Sequence, residues 1–401
     1  MTADRLTGDC EIDCQTARAY PGRFSECSIG ALAAAWDKIA AVDPLDGGEA
    51  GKSGTSAPTE RPCDSPRTGR SLPNPRPWDT DDSDDDEDRW QDALNPAQAA
   101  RVHVYFAGAG GSSLGLERAG YTTLGFEYWK PAIDTHRANG MACVEADLSD
   151  PTIDATLPAC DLAWFSPPCQ PFSAAGDRQG EFDDRDGFPW TLRIIAATLP
   201  AVVIIENVKG LTFTTHADYF TGVLTSIRRL GYHVEWKVLN CADYGVPQTR
   251  ERTILVARRD GGPITWPAPT HTEHPGLFTE PWVTLEHVAP SVAGRRGRYR
   301  RGAGYVERGG ERPDVNPRAP APTVHTNMAT NLQFFPSDAT GSQQADAIRV
   351  TLPELAALQG FPPDYRWCGS RTTQAKQIAN AVPPRLAEVL ATANRPALIP
   401  Q

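Results

Sequence analysis

Apolar and polar positions along this chain fall into two regimes that meet near residue 100. Beyond that point, short apolar runs recur at even intervals: RVHVYFA (101–107), YTTLGFE (121–127), ACVEA (142–146), DLAWF (161–165), AVVIIE (201–206), HVEWKVLN (233–240) and RTILVAR (252–258). Each has the length and the β-branched or aromatic content of a buried strand. Between the first two, GAGGSSLGLERAG (108–120) reads as a glycine turn running into a helix, and helical stretches are expected at about 188–199 and 217–230. A βαβ opening followed by continued alternation predicts an α/β fold with a doubly wound, mostly parallel, Rossmann-like sheet, whose ligands bind beyond the carboxyl ends of the strands.

Before residue 100 this pattern is lost. Residues 46–77 are rich in Gly, Ser, Thr and Pro, and DTDDSDDDED (79–88) is a run of mutually repelling acids, the composition of a disordered segment. Only IGALAAAWDKIAAV (29–42) has a helical pattern. Residues 1–97 are therefore expected to be a largely disordered extension.

Charge sharpens that boundary. Residues 1–100 hold 20 acids and 10 bases, whereas the remainder holds 30 acids and 29 bases, so the net charge of −11 belongs almost wholly to the extension. At 401 residues and 40% apolar content, the chain can bury a substantial core. Nine cysteines without a regular framework point to reduced thiols and a cytosolic compartment. Cys10, Cys14 and Cys27 lack a fourth ligand at suitable spacing, so no metal is expected. The N-terminus has no basic-then-apolar leader, and no run approaches the ~20 apolar residues of a membrane span, so a soluble protein is expected.

The glycine turn constrains the ligand. Starting from Gly108, a dinucleotide fingerprint would need a third glycine where Ser113 stands, and the Gly-Lys-Ser/Thr ending of a phosphate-cradling loop is missing. A nucleoside-type ligand remains. Glu127, at the end of the second strand, is placed to accept from ribose hydroxyls, Tyr128 to stack on a purine, and Asp147 to reach the purine edge. A second candidate centre is SPPCQPFS (166–173), where two prolines after an apolar strand enforce a stiff loop around Cys169. Taken alone, Cys169 reads more readily as an ordinary buried cysteine.

Several blocks together resemble the DNA (cytosine-5) methyltransferases, which use S-adenosylmethionine. FAGAGGSSLGLERAG is similar to that family's cofactor motif, SPPCQPFS to its nucleophile loop, IENVKGL (205–211) to its glutamate block and PQTRERTILVA (247–257) to its glutamine-arginine block. RAPAPTV (318–324), LQGFPPDY (358–365) and QIANAVPPRLAEVL (377–390) are similar to the closing blocks. The resemblance implies a Rossmann-like methyltransferase with a cofactor-binding and catalytic part over 98–258, a small irregular target-recognition region over 259–317, and a closing segment, 318–401, that returns to the catalytic part. It implies Cys169, Glu206, Arg252, Gln248 and Asn207 as catalytic-site residues, Asn207 holding the loop and Arg252 serving as the cation. For the cofactor it implies Phe106, Ala107, Gly108, Gly110, Gly111, Glu127, Tyr128, Asp147, Pro167, Asn380 and Val382. Two positions depart from the family pattern: Val104 stands where an acidic residue is usual, and Ala379 replaces a glycine before Asn380.

The chemistry requires this set. Carbon 5 of cytosine is a poor nucleophile until a thiolate adds at carbon 6, and a neighbouring acid must then neutralise charge developing on the ring. Gln248, Arg250 and Arg252 alternate, which places both arginines on one face of a strand, a solvated edge being the alternative reading. A stacked base is out of reach, so the target must be flipped out of a double-stranded DNA partner. The segment AGRRGRYRRGAGYVERGGER (293–312) carries seven arginines against two acids, and Arg295, Arg296, Arg298, Arg300 and Arg301 are its candidate DNA contacts, to bases or to phosphates alone. A monomer in a prokaryotic or phage-infected cytoplasm is expected, with a restriction endonuclease as an optional partner. A transfer-RNA cytosine-5 methyltransferase and a non-enzymatic nucleic-acid-binding module are the rival readings.

Overall fold

A computed structural model describes residues 101–168, 186–299, 314–336 and 346–394, all within the larger of two compact units, Pro44–Gln401. The expected extension with its helix at 29–42, and Cys169, Arg300 and Arg301, lie outside the described residues.

Seven strands form the central sheet: β1 (Arg101–Tyr105), β2 (Thr122–Glu127), β3 (Ala142–Glu145), β4 (Leu162–Phe165), β5 (Val202–Val208), β6 (His233–Asn240) and, after the two-residue β7 (Gln248–Thr249), β8 (Glu251–Arg258). Their order is β3-β2-β1-β4-β5-β8-β6. Strands β1 to β5 pair in parallel, while β8 runs antiparallel to both β5 and β6. This follows the expected pattern of apolar runs, because strands covered on both faces need continuous apolar side chains. Val102, Val104, Trp164, Ile204 and Val256 share one buried cluster. Tyr105 stacks between Phe126 and Phe165 at 4.9 and 4.7 Å.

The reversed strand brings a cation to the end of β5. Because β8 starts where β5 ends, Arg252 pairs in register with Val208 and lies at the carboxyl edge of the sheet.

The described α-helices longer than four residues are α1 (Gly111–Arg118), α2 (Lys130–Ala138), α3 (Phe188–Thr198), α4 (Ala217–Arg229), α5 (Leu352–Leu358), α6 (Arg371–Asn380) and α7 (Pro384–Ala393). Helix α7 returns to α1 at very short range: a side chain on Gly111 would collide with Val382 O, and one on Gly115 with Pro384 O and Ala387. Leu386, Ala387, Leu390 and Ala391 thereby join the core of the sheet.

A second core is built around Val292, Val315, Leu332, Phe334, Leu358 and Ile378. Its scaffold is β9 (Arg295–Tyr299), antiparallel to β11 (Leu332–Pro336), while β10 (Ala321–Pro322) pairs with β7. Core residues come from both sides of position 318, so the change of core does not coincide with the boundary expected there. Most of 346–381 belongs with this second core, though Tyr365, Cys368 and Gln377 reach back to Ala109, Thr135 and Pro131, and the last helix joins the core of the sheet.

Candidate active site

At the carboxyl edge, Glu206 on β5 stands opposite Ile254, and Arg252, two residues along β8, lies on the same face as its diagonal neighbour. Arg252 Nε approaches Glu206 Oε1 at 2.9 Å, with both side chains only about a tenth exposed (11% and 10%). Arg252 Nη1 donates to Glu251 O at 2.8 Å, which fixes the guanidinium further. The next residue, Asn207, is buried and donates from Nδ2 to Pro167 O at 3.2 Å. The acid strand thus holds the last described residues before Cys169. Gly187 closes the same region from the other side, since any side chain there would strike Pro167 and Pro168. Asp186 beside it is buried, accepting from Phe188 N and from the Tyr219 hydroxyl.

Gln248 and Arg250 are placed otherwise than a shared strand face implies. Gln248 is fully buried, its Nε2 donating to Leu358 O and Gln359 Oε1 at 2.7 Å and its Oε1 accepting from Val324 N. Arg250 falls in the break between β7 and β8 and reaches the carbonyls of Val324, Ala379 and Ala381. Gln359, which lies in the LQGFPPDY block but was not among the expected site residues, donates to Ile378 O. These three side chains satisfy backbone groups where the two cores join, as buried polar groups must be satisfied. Gln248 is therefore a holding residue. Neither arginine lies on a solvated edge, Arg250 being 4% and Arg252 9% exposed.

On the other half of the carboxyl edge, the turn after β1 combines three left-handed residues, Phe106, Gly108 and Gly110. A Cβ on Gly108 would meet nothing within 4 Å, so open space lies against its bare backbone. Gly110 faces inward, against Met141, Tyr365 and His136, and Gly111 faces Val382 and Phe361, so both are tightly packed. Glu127 is fixed by three backbone donors, Gly108, Tyr128 and Trp129, at 2.8 to 3.0 Å. Tyr128 is 69% exposed. Asp147 is exposed, and its Oδ1 accepts from the amide and hydroxyl of Ser149. Ala107 and Pro167 are buried at the same edge, Val382 abuts Gly111, and Asn380 is exposed at the end of α6. Two carboxylates, an exposed phenol and an open glycine, with no phosphate cradle, suit an adenosine-bearing cofactor such as S-adenosylmethionine. Beneath the turn, His136 faces Gly108 O at 3.4 Å, and complete burial lowers its pKa to about 4. Val104 is fully buried in the sheet core and the Ala379 carbonyl is taken up by Arg250, which is where the two departures fall.

Within the basic segment, β9 alternates. Arg295 and Tyr299 turn to the half-buried face, where Arg295 donates to Asp346 O and Tyr299 stacks on His325. Arg296 and Arg298 are exposed on the other face. Strand β9 does not meet the Glu206 site through any described contact.

Residues 101–286 and 295–394 match the profile of the C-5 cytosine-specific DNA methylases. The chain is 34% identical over 320 residues to the Type II methyltransferase M1.HphI of Haemophilus parahaemolyticus, spanning 72% of this chain and 84% of that protein. It is 34% identical over 304 residues to the Type II methyltransferase M.AplI of Arthrospira platensis, with coverage of 71% and 83%. The fold of the S. pombe Dnmt2 methyltransferase matches with a TM-score of 0.54 at 19% identity, over 74% of this chain and 99% of that one. The chain belongs to the C-5 cytosine-specific DNA methylase family. It is an S-adenosylmethionine-dependent enzyme that methylates carbon 5 of cytosine in DNA through a covalent cysteine adduct.

Proposed function

We propose that Cys169 is the nucleophile and that Glu206, Asn207 and Arg252 assist it. The observation that carries this reading is the tie between the acid strand and the Cys169 loop: Glu206 pairs with Arg252 while its neighbour Asn207 holds Pro167. S-adenosylmethionine, when bound, supplies an electrophilic methyl group. Glu127, Tyr128 and Asp147 hold its adenosine part, with Gly108 leaving room and Phe106, Ala107, Pro167, Asn380 and Val382 completing the pocket. The Cys169 thiolate forms a bond to carbon 6 of the flipped cytosine, and the displaced electron pair makes carbon 5 nucleophilic. Glu206 shares a proton with ring nitrogen 3, so no full negative charge develops on the ring. Arg252 keeps Glu206 in place. Once carbon 5 carries the methyl group, a base removes its proton, the bond from sulfur to carbon 6 breaks, and the nitrogen 3 proton returns to Glu206.

Double-stranded DNA is held in part by β9, through Arg296 and Arg298, with Arg295 behind them and Arg300 and Arg301 following in sequence. The enzyme works as a cytoplasmic monomer, and the Type II names of its relatives support a restriction-modification setting with an endonuclease as an optional partner. Labelled S-adenosylmethionine offered with duplex DNA and with transfer RNA tests the substrate, and bisulfite sequencing of the product maps the site. Label in DNA at one cytosine of a short recurrent sequence is the expected result; label in RNA alone would overturn it.

A further inference from the structure

We infer that Arg296 and Arg298, held by Asp314, read guanine at the edge of the target site; this rests on the reading of β9 as part of the DNA interface. Val315 exchanges both backbone hydrogen bonds with Gly297, at 2.9 and 2.8 Å. That antiparallel register puts Asp314 directly opposite Arg298 and diagonal to Arg296, all three on one face. The contacts are specific: Arg298 Nε meets Asp314 Oδ1 at 3.0 Å, and Arg296 Nε meets Asp314 Oδ2 at 3.4 Å. A carboxylate gripping Nε leaves both terminal nitrogens of each guanidinium uncommitted, and among the described residues neither arginine has another partner. Two parallel N–H donors are the geometry that matches O6 and N7 of guanine in the major groove. A pair serving phosphates alone needs no acid between its members, because that acid repels the backbone it is meant to grip.

The support is rigid, as base reading requires. Gly297 lies between the two arginines, and a side chain on it would strike Phe334 and Val315, so the strand presses flat against the second core. β9 pairs with β11 on its other side, and Phe334 of β11 bridges Ile348. A groove of about 430 Å³, lined in part by Glu286, Arg295, Arg296, Asp314 and Arg318, borders the pair and gives room for a base edge and the adjoining backbone.

The test compares substitutions that keep charge with ones that remove it, using the full-length enzyme and duplexes carrying the bisulfite-defined site. R296K and R298K keep the charge but lose the fork. Each should leave the salt dependence of binding to random duplex unchanged while lowering the ratio of kcat/KM on the true site to that on a site with one guanine changed, by about 10- to 100-fold. Replacing one guanine in the site with 7-deazaguanine, which lacks N7, should impose that loss on the wild type and little more on the matching lysine variant. D314N should tighten binding to random duplex and yet lower the site ratio. Lysine variants with an unchanged ratio, or a site without guanine, would overturn guanine reading and leave phosphate contact standing. R296A/R298A with wild-type DNA affinity and salt slope would instead remove β9 from the interface altogether.

Discussion

Arg252 lies 2.9 Å from Glu206 because the one reversed strand of the sheet begins where β5 ends. The pair is nearly excluded from water, so removing one member strands the other. R252A is expected to lower melting stability by about 3 kcal/mol, the cost of an uncompensated buried charge. It should also reduce kcat by at least ~100-fold, the scale of losing an electrostatic partner at a reacting centre. E206Q keeps the shape and should cost less stability than R252A while losing a comparable share of activity. Thermal unfolding and single-turnover methyl transfer, measured on the same samples, separate the two effects.

Asn207 to Pro167 is a single hydrogen bond whose value is positional. N207A should cost about 1 kcal/mol of stability, the usual net worth of such a bond. Its larger effect should fall on kcat, by roughly 10-fold or more, because a small misplacement of a nucleophile is costly. Cofactor affinity, read by titration, should stay within twofold of the wild type. A cofactor affinity that falls in step with kcat would show that Asn207 supports the pocket rather than the loop.

Two kinds of glycine lie on either side of the start of α1, and substitution should separate them. G115A drives a methyl group into Pro384 O and Ala387 and should destabilise by about 1–3 kcal/mol, as overpacking does. G108A meets no neighbour but places a side chain at φ 54°, so its cost should be nearer 1 kcal/mol. That methyl group would occupy the open space beside the cofactor, so G108A should weaken S-adenosylmethionine binding more than G115A does, relative to the stability each loses. Calorimetric melting with cofactor titration checks both orders.

His103 and His136 are buried, and desolvation lowers each pKa from 6.5 to about 4. The unfolded chain therefore binds more protons than the folded one between those values, so stability rises with pH across that window. The contribution is complete above pH 6.5 and is lost as pH falls toward 4, at up to about 1.4 kcal/mol per pH unit for each histidine. Denaturant unfolding between pH 7 and 4.5 should show this slope, and H136Q should reduce it by about half. A flat profile would mean that both rings are protonated at no cost.

Much of the sheet was legible because strands buried on both faces must be continuous apolar runs, and all seven expected runs became strands. Helix α2 was not, since its nine residues are largely polar and carry Pro131 in the first turn, where proline is tolerated. Helix α5 did carry a signal, the capping box between Thr351 and Glu354. At the site, residue types were readable from the motifs but directions were not. The spacing of Arg250 and Arg252 suggests one face, yet the break after β7 sends Arg250 to the carbonyls of Val324, Ala379 and Ala381. Gly111 has the residue type of a ligand-binding glycine and serves instead as a seat for Val382. The grip of Asp314 on two arginines depends on a pairing with Val315 that no local pattern announces.

Covalent trapping at Cys169 tests the mechanism most directly. Cys143, Cys160 and Cys241 are buried, and burial pushes their thiols up to about 12, 12 and 11, so none of them competes as a nucleophile at neutral pH. DNA with 5-fluorocytosine at the target should be methylated once and then remain attached, because fluorine cannot leave as the carbon 5 proton does. The expected adduct depends on S-adenosylmethionine, survives denaturing electrophoresis and maps by peptide mass to SPPCQPFS (166–173), and Cys169→Ser abolishes it while cofactor binding persists. An adduct through another cysteine, or full methylation by the serine variant, would contradict it.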